Sequence, residues 1–526
     1  MDTKALRQKI LDLAIRGKLV AQDPNDEPAS VLLEKIRAEK QQMVRDGKLK
    51  AKDIKDDTVI FVGEDNLHYE KFPDGSVKCI EEEIPFELPN GWVWCRLQTI
   101  CEPITDGTHK TPRYSDDGYI FLSSKNVTSG KIDWDNVMFI PEELHNELYS
   151  RLSPQKNDIL LAKNGTTGIA AIVDRDCVFD IYVSLALLRV IKYIIYPKYL
   201  LSVIASSTIQ DYFNSSLKGI GVPNLHLEHI RTSLIPICPL NEQYRIVDKL
   251  NELLSFVDTI ESDKTSLQDL IKQTKSKILD LAIRGKLVPQ DPNDEPASVL
   301  LEHIRAEKEE LIRQGKIKRD KRESVIFRGE DNSYYPSSSD NKSYEAQILF
   351  DLPDSWEWCT LPNIAKIDLG KTLDSAKNTG KKHQYLRSVN IRWGSINLSD
   401  IKEMRFEDDE IDRYNIQKND LLICEGGDVG RSCVWTYDKE ILYQNALHRV
   451  RFFDRCNPFF FMYYMMYYES KGIIKDLCKG VTIKHLTGNV LSVLPFALPP
   501  LNEQNRIVKV IETAFTQLDE IVYSIS

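Results

Sequence analysis

The sequence predicts two α/β (α+β) domains of one fold, separated by a pair of long antiparallel coiled-coil helices in a pseudo-two-fold, circularly arranged repeat. Three observations predict it. The twelve residues KILDLAIRGKLV occur at 9–20 and again at 277–288. Two blocks, 98–238 and 362–499, share a skeleton but little of their surface chemistry. A long apolar heptad runs between them from 246 onward, and heptad spacing is the signature of helices that pack on one another.

The repeat extends well beyond the twelve residues. Between 9–34 and 277–302 only Ala21 and Pro289 differ. IRAEK recurs at 36–40 and 304–308, and VIFVGEDN (59–66) matches VIFRGEDN (325–332). FELPNGWVWCRL (86–97) matches FDLPDSWEWCTL (350–361), and LNEQYRIV (240–247) matches LNEQNRIV (501–508). Inside the variable blocks the matches thin out. FLSSKNV (121–127) parallels YLRSVNI (385–391), and QKNDILLAKNGTTG (155–168) parallels QKNDLLICEGGDVG (417–430). Arg189-Val190 parallels Arg449-Val450, and LKGI (217–220) parallels CKGV (478–481). Near-identical frames with divergent inserts suit a protein that recognises two different things at a fixed separation.

The helical frame is read from spacing. Ile246, Leu250, Leu253, Val257, Ile260, Leu267, Ile271, Ile278 and Leu281 alternate steps of four and three, with Lys264 and Thr274 as polar interruptions. The segment 240–284 would form roughly 65 Å of helix at 1.5 Å per residue. Ile507, Ile511, Ala514, Leu518 and Ile521 continue the pattern at one terminus, and Leu6, Ile10 and Leu13 at the other. Placed end to end, 501–526 and 1–16 rebuild the equivalent of 240–284. The expected organisation is therefore a split helix (1–16), an accessory arm and linker (17–85), a first domain (86–239) and the central helix (240–284). A second arm and linker (285–349), a second domain (350–500) and the remainder of the split helix (501–526) follow. Each arm holds a charged amphipathic helix, 28–47 and 296–315, with a narrow stripe such as Leu32, Ile36 and Met43. Lys48, Lys50 and Lys52 follow the first, and Lys316, Lys318, Arg319, Lys321 and Arg322 the second. A solvated arm and a contact to a partner subunit or DNA backbone both fit them.

Composition excludes several classes. The net charge is −10, which by itself argues against nucleic acid, since duplex binding sets Lys and Arg against phosphates. Its distribution weakens the objection: 86–240 holds 14 Lys/Arg against 16 Asp/Glu, and 350–500 holds 20 against 20. A neutral domain can still present a basic face. No apolar run reaches the ~20 residues of a membrane span, and no signal-peptide pattern opens the chain. Ten cysteines without a C-x-x-C pair fit a reduced, cytoplasmic protein lacking disulfides or zinc. No phosphate-binding G-x-x-x-x-G-K-[ST] loop and no G-x-G-x-x-G after a strand occurs. CNPFFF (456–461) lacks the second proline of the amino-methyltransferase loop, and FFFMYYMMYY (459–468) reads as core. The nine histidines form no metal set or triad.

Binding chemistry is better represented. The loop DGTHKTPRY offers Thr108, His109, Lys110, Thr111 and Arg113 to phosphates and base edges. The second block answers with Lys371, Thr372, Lys377, Asn378, Lys381, Lys382 and Gln384. Ser124, Lys125 and Asn126 correspond to Ser388 and Asn390 in the paired S-x-N segments, where an amide suits adenine N6/N7; Arg387 and Arg392 suit guanine O6/N7. The two G-x-x-G loops, Gly165–Gly168 and Gly427–Gly430, permit close backbone approach. Lys163, Asn164 and Thr166 accompany the first, and Glu425, Asp428 and Arg431 the second; acidic groups there suit cytosine N4.

Two variable domains alternating with repeated helices, each domain closing on P-L-N-E-Q-x-R-I-V and each frame carrying LAIRGKLV-x-Q-D-P, resemble the specificity (S) subunit of a type I restriction–modification system. The resemblance covers essentially the whole chain. It implies that each variable block is a target recognition domain reading one half of an asymmetric, bipartite site on double-stranded DNA. The helices would act as a ruler for the unread spacer. It also implies a non-catalytic chain without its own cofactor. Two methyltransferase (M) subunits would bring S-adenosylmethionine for adenine N6 methylation. Restriction (R) subunits, held through them, would bring ATP and Mg. The repeated frame would be the same M-subunit dock made twice.

Overall fold

Steps of four and three put the apolar residues on one face, and Leu240–Ile283 forms one continuous helix of 44 residues. Gly285 ends it at φ +65°, a conformation that costs other residues strain. The computed structural model describes residues 2–192, 194–217, 223–319, 323, 326–328, 334–336, 350–372, 374, 378–478 and 485–525. Lys321, Arg322 and Lys377, and parts of the LKGI, CKGV and VIFRGEDN segments, lie outside the described residues. The chain divides into two units, Met1–Lys264 and Thr265–Ser526, so the boundary falls inside the long helix.

In the first unit the N-terminal helix Thr3–Ile15 runs antiparallel to the opening part of the long helix. Arg7 pairs with Asp258 and Glu261 at one end. At the other, Asp26 accepts from Asn241 (3.2 Å) and Arg245 (2.6 Å). Ile10, Leu11, Ala14 and Ile15 share a core with Ile246, Val247, Leu250 and Val257. The second unit repeats this with the C-terminal helix Leu501–Ile525. Lys275 pairs with Asp519, and Asp294 accepts from Asn502 (3.1 Å) and Arg506 (2.7 Å). Of the heptad positions, Ile246, Leu250, Val257, Ile271, Ile507 and Ile511 are buried, Leu253, Leu267, Ile278 and Leu518 are half-buried, and Ile260 is exposed.

The repeated motifs meet in one junction per unit. Strand Val93–Arg96 pairs antiparallel with Leu234–Ile237, and Glu357–Thr360 with Pro495–Leu498, so each variable domain begins and ends side by side. That closure brings the tryptophan of the LP-x-x-W segment to the LNEQ segment. Trp92 Nε1 donates to Glu242 Oε2 at 3.0 Å, and Trp356 Nε1 to Glu503 Oε2 at 3.0 Å. Gln243 accepts from Tyr196 N (2.8 Å) and donates to the Cys238 carbonyl (3.0 Å). Gln504 does the same with Asn457 N (2.8 Å) and Pro499 O (2.9 Å). Gly17 and Gly285, both at positive φ, lie where a Cβ would reach within 2.5 Å of Pro89 and Pro353. The repeated Trp, Glu and Gln thus have corresponding partners within each unit.

Each variable domain is built on a four-stranded antiparallel sheet. The orders are 105–106, 185–188, 159–162, 170–172 and 365–369, 447–452, 421–424, 432–434. The QKND motif recurs because it makes one turn. Asn157 and Asn419 adopt φ +74° and +73°, which asparagine tolerates. Asp158 and Asp420 accept from the backbone of Gln155 (2.8 Å) and Gln417 (2.7 Å). The aspartates also pair with Arg189 and Arg451, both at 2.6 Å. This corrects the sequence alignment of Arg189-Val190 with Arg449-Val450. Leu188 lies opposite Ile159 and Val450 opposite Leu421, so Arg451 is the counterpart of Arg189. Phe459 to Tyr468 form the predicted core element as part of helix Pro458–Ser470, capped by the Asn457 side chain on Phe459 N (3.0 Å).

The arm helices, Ala29–Arg45 and Ala297–Arg313, are not free in solvent. Ala29, Leu32, Ile36 and Lys40 are buried, as are Ala297, Leu300, Ile304 and Lys308. Lys40 donates to Asp57 (2.7 Å) and to the carbonyls of Gln98 and Thr99; Lys308 donates to Pro362 O (2.7 Å) and pairs with Glu323 (2.8 Å). A buried ammonium is tolerated where hydrogen-bond acceptors, one of them a carboxylate, face it. The lysine of IRAEK thereby pins each arm to its own variable domain.

The junction makes a stability prediction. Trp92→Phe keeps the ring but leaves the Glu242 carboxylate short of a donor, which costs about 1–3 kcal/mol. Glu242→Gln keeps an acceptor and costs less. Burial raises the Glu242 carboxyl above its ordinary value, partly offset by the Trp92 hydrogen bond. The folded state then holds a proton that the unfolded chain releases, so this group's contribution is full at acid pH and declines as pH rises through the raised value. Calorimetric melting from pH 4 to 8 should show Trp92→Phe melting below wild type throughout. Glu242→Gln should lose part of the decline with rising pH.

Candidate nucleic-acid interface

The site residues fall on corresponding loops. Gly107 and Gly370 lie so close to a facing strand that a Cβ would sit 1.9 Å from Ile181 O and 2.1 Å from Gln444 O. Only glycine permits that approach. Thr108 and Lys371 follow, bonded in the same way: Thr108 N to Ile181 O (3.1 Å), and Lys371 N to Tyr443 O (3.2 Å). Beyond them the loops diverge.

In the first domain His109, Lys110, Thr111, Arg113, Lys125 and Thr166 are exposed. Thr108 is buried, and its Oγ1 accepts from Lys110 N at 3.3 Å. Lys163 is also buried and pairs with Asp106 at 2.9 Å, while His109 Nε2 lies 3.2 Å from the same carboxylate. Asp106 therefore ties the 106–114 loop to the G-x-x-G loop. Helix Glu142–Arg151 lies alongside: Arg151 donates to Asp106 O (3.1 Å), and Glu143, Leu144 and Glu147 line a cavity of about 320 Å³ with Lys110, Thr111 and Arg113. The sequence reading missed this helix, whose acidic stretch EELHNE carries no motif.

In the second domain Thr372, Lys381, Lys382, Arg392 and Asp428 are exposed. Lys371 is buried against Glu410 and 5.4 Å from the Phe406 ring centre; its ammonium holds the Glu410 carboxyl below its ordinary value. Arg387 donates to Asp400 Oδ2 (2.7 Å) and O (2.8 Å). Arg431 pairs with Asp428 and donates to Ser388 O (3.0 Å). Glu425 is half-buried, and its backbone bonds Ala446 and Leu486. Lys371, Arg387 and Arg431 thus have partners inside the protein.

The S-x-N segments differ from the expectation of base-reading amides. Asn126 accepts from Ser123 N (2.9 Å) and donates to Asp133 O (3.3 Å) and Asn136 O (3.0 Å). Asn390 accepts from Arg387 N (3.0 Å) and donates to Asn397 O (3.0 Å) and Asp400 O (3.1 Å). Both are buried. An amide with all its bonds made internally is a scaffold for the turn, and this is why the asparagine recurs. Ser124 is half-buried, its N–H donating to Ser184 Oγ at 3.0 Å; Ser388 is half-buried as well. Among the described residues no group of three or more His, Cys, Asp or Glu is placed to hold a metal ion, and no helix is long and apolar enough to cross a membrane.

Two unlike polar surfaces on one duplicated frame define a protein with two different recognition domains. Residues 89–269 and 353–522 match the type I restriction modification DNA specificity domain, and the chain belongs to that family. It is 28% identical to the type I restriction enzyme EcoAI specificity subunit of Escherichia coli over 99% of this chain and 90% of that protein. It is 26% identical to the EcoEI specificity subunit of Escherichia coli over 98% and 90%. A solved chain from work on complex assembly and conformational transition of the type I R-M system shares the fold, with a TM-score of 0.51 at 18% identity over 84% of this chain and 94% of that chain.

The split between scaffold and surface is testable. Asn126→Ala removes four internal hydrogen bonds and Asn390→Ala three, and each should lower stability by about 1–3 kcal/mol. Lys110→Ala and Lys381→Ala, on exposed side chains, should leave the unfolding free energy within about ±0.5 kcal/mol, as is usual for a surface change. Urea titrations of the four variants distinguish the classes. Equal losses in all four would contradict the division.

Proposed function

We propose that this chain is the DNA-recognition subunit of a type I restriction–modification enzyme, in which each variable domain reads one half of a bipartite duplex site. The observation that carries the proposal is the contrast within one chain. The junction residues Trp92/Trp356, Glu242/Glu503 and Arg245/Arg506 keep the same partners, while the exposed loops built on that frame differ in charge and type. Lys110, Arg113, Lys125 and Thr166 on one domain, and Lys381, Lys382 and Arg392 on the other, are the groups we assign to DNA. Ammonium and guanidinium groups give phosphate affinity, and loop side chains that reach base edges give sequence. Unlike loops imply unlike half-sites.

Methyl transfer and cleavage belong, in this reading, to other polypeptides. Two methyltransferase subunits dock on the repeated frame and supply S-adenosylmethionine for adenine N6 methylation. Restriction subunits join through them with ATP and Mg. The long helix separates the half-sites and so sets the unread spacer.

Selection from a randomised duplex pool, with this chain bound to its methyltransferase partner, tests the proposal. The expected result is one bipartite, asymmetric motif. Affinity should fall linearly with log salt, as counterion release requires. Lys110→Ala should weaken binding to all sequences and reduce that slope by about 1 if it meets a phosphate, or relax one position by about 1–3 kcal/mol if it meets a base. No enriched motif in the complex would refute the proposal.

A further inference from the structure

Beside the G-x-x-G loop of the first domain, two asparagines stand face to face. Asn164 and Asn224 are opposite partners in an isolated antiparallel bridge, secured by the Leu225 N–H donating to Lys163 O at 2.7 Å. Side chains of opposite residues in such a bridge lie on one face, about 4.5–5.5 Å apart at Cβ. The buried Lys163–Asp106 pair fixes the preceding residue, and Gly165 at φ +77° fixes the next. Both asparagines are half-buried, and the Oδ1 atom of each is buried without a hydrogen-bond donor among the described residues. The Asn126 amide, by contrast, is bonded at both its oxygen and its nitrogen.

The second domain has the same platform with other chemistry. Leu486 N donates to Glu425 O at 2.8 Å, so Gly426 and His485 hold the places of Asn164 and Asn224. A Cβ on Gly426 would lie 3.3 Å from His485 Cε1 and 3.4 Å from Nδ1, so the glycine makes room for the imidazole. His485 is exposed.

We propose that Asn164 and Asn224 are a specificity-determining pair that reads an adenine edge, and that Gly426 and His485 form the corresponding, differently reading position of the second domain. The inference rests on the DNA-recognition reading above and deepens it. A buried amide oxygen with no donor carries a desolvation cost that a ligand donor removes. Each amide also has an N–H pair that makes no hydrogen bond among the described residues. A ligand edge that matches must therefore offer a donor and an acceptor together. Adenine N6–H and N7 in the major groove do so; guanine offers two acceptors there and cytosine only a donor. The replacement of both amides in the second domain fits two half-sites that differ at this position.

The test is competition binding by the chain–methyltransferase complex, using its selected duplex and all single-base variants of both half-sites. Asn224→Ala removes one amide and leaves the Leu225 backbone bond intact. Discrimination for adenine should fall about tenfold to a hundredfold at one position of the first half-site, with the second half-site unchanged. Asn164→Gly with Asn224→His should change the preferred base at that same position. His485→Asn should alter discrimination only in the second half-site, which keeps the inference falsifiable if the double variant fails to fold. Unaltered discrimination in Asn224→Ala, or an equal loss at every position, would overturn the pair. A wild-type complex that selects no motif would instead refute the DNA-recognition reading itself, and the pair with it.

Discussion

A tryptophan N–H held against a buried glutamate is the contact on which each unit depends. Trp92 reaches Glu242, and Trp356 reaches Glu503. It joins the entrance of a variable domain to the first turn of the helix that leaves it. Burying the carboxyl group is costly, and the indole donor offsets part of that cost in both units; Gln290 adds a second donor to Glu503 Oε1 at 2.6 Å, whereas Glu242 Oε1 is buried without a partner among the described residues. Around it, Asp26 with Asn241 and Arg245, and Asp294 with Asn502 and Arg506, fasten the same helix to the turn after the opposing one. A domain whose ends are clasped in this way can change its outer loops without changing where its helices emerge.

That constraint explains why the chain repeats where it does. Each clasp contact joins two repeated segments, so a change in one strands a polar group in the other. Loop residues have no such obligation. The buried ion pair beneath the first loop is Asp106–Lys163, whereas the second domain uses Lys371–Glu410 at a different pair of positions. The scaffold needs a satisfied charge under each loop; it does not need the same one. Divergence is thereby concentrated in the variable blocks, away from the clasp.

Much of the architecture was legible in the sequence because it lives in spacing. Heptad steps gave the long helix to within one residue of its end, and exact repetition located the junction segments without revealing their bonds. Strand register was less legible. Arg449 and Arg451 sit two apart on one strand, and only the opposite residue, Asp420, distinguishes the counterpart of Arg189. Composition was least informative about the site. Asn126 and Asn390 have the right groups for a base edge, but their bonds are made inward. Lys163 and Lys371 have the right charge, but are buried on carboxylates. Asn224 and His485 were missed because their surroundings match no motif; the signal was their place just before the short helices Leu227–Thr232 and Gly488–Val493.

The central claim is that the frame is interchangeable and the variable block alone decides what is read. Replacing residues 357–498 with a second copy of 93–237, then mapping adenine methylation in a host that also carries the methyltransferase partner, tests it most directly. The account predicts a target that contains the first half-site twice and the second not at all. Persistence of the second half-site in the methylated motif would contradict it.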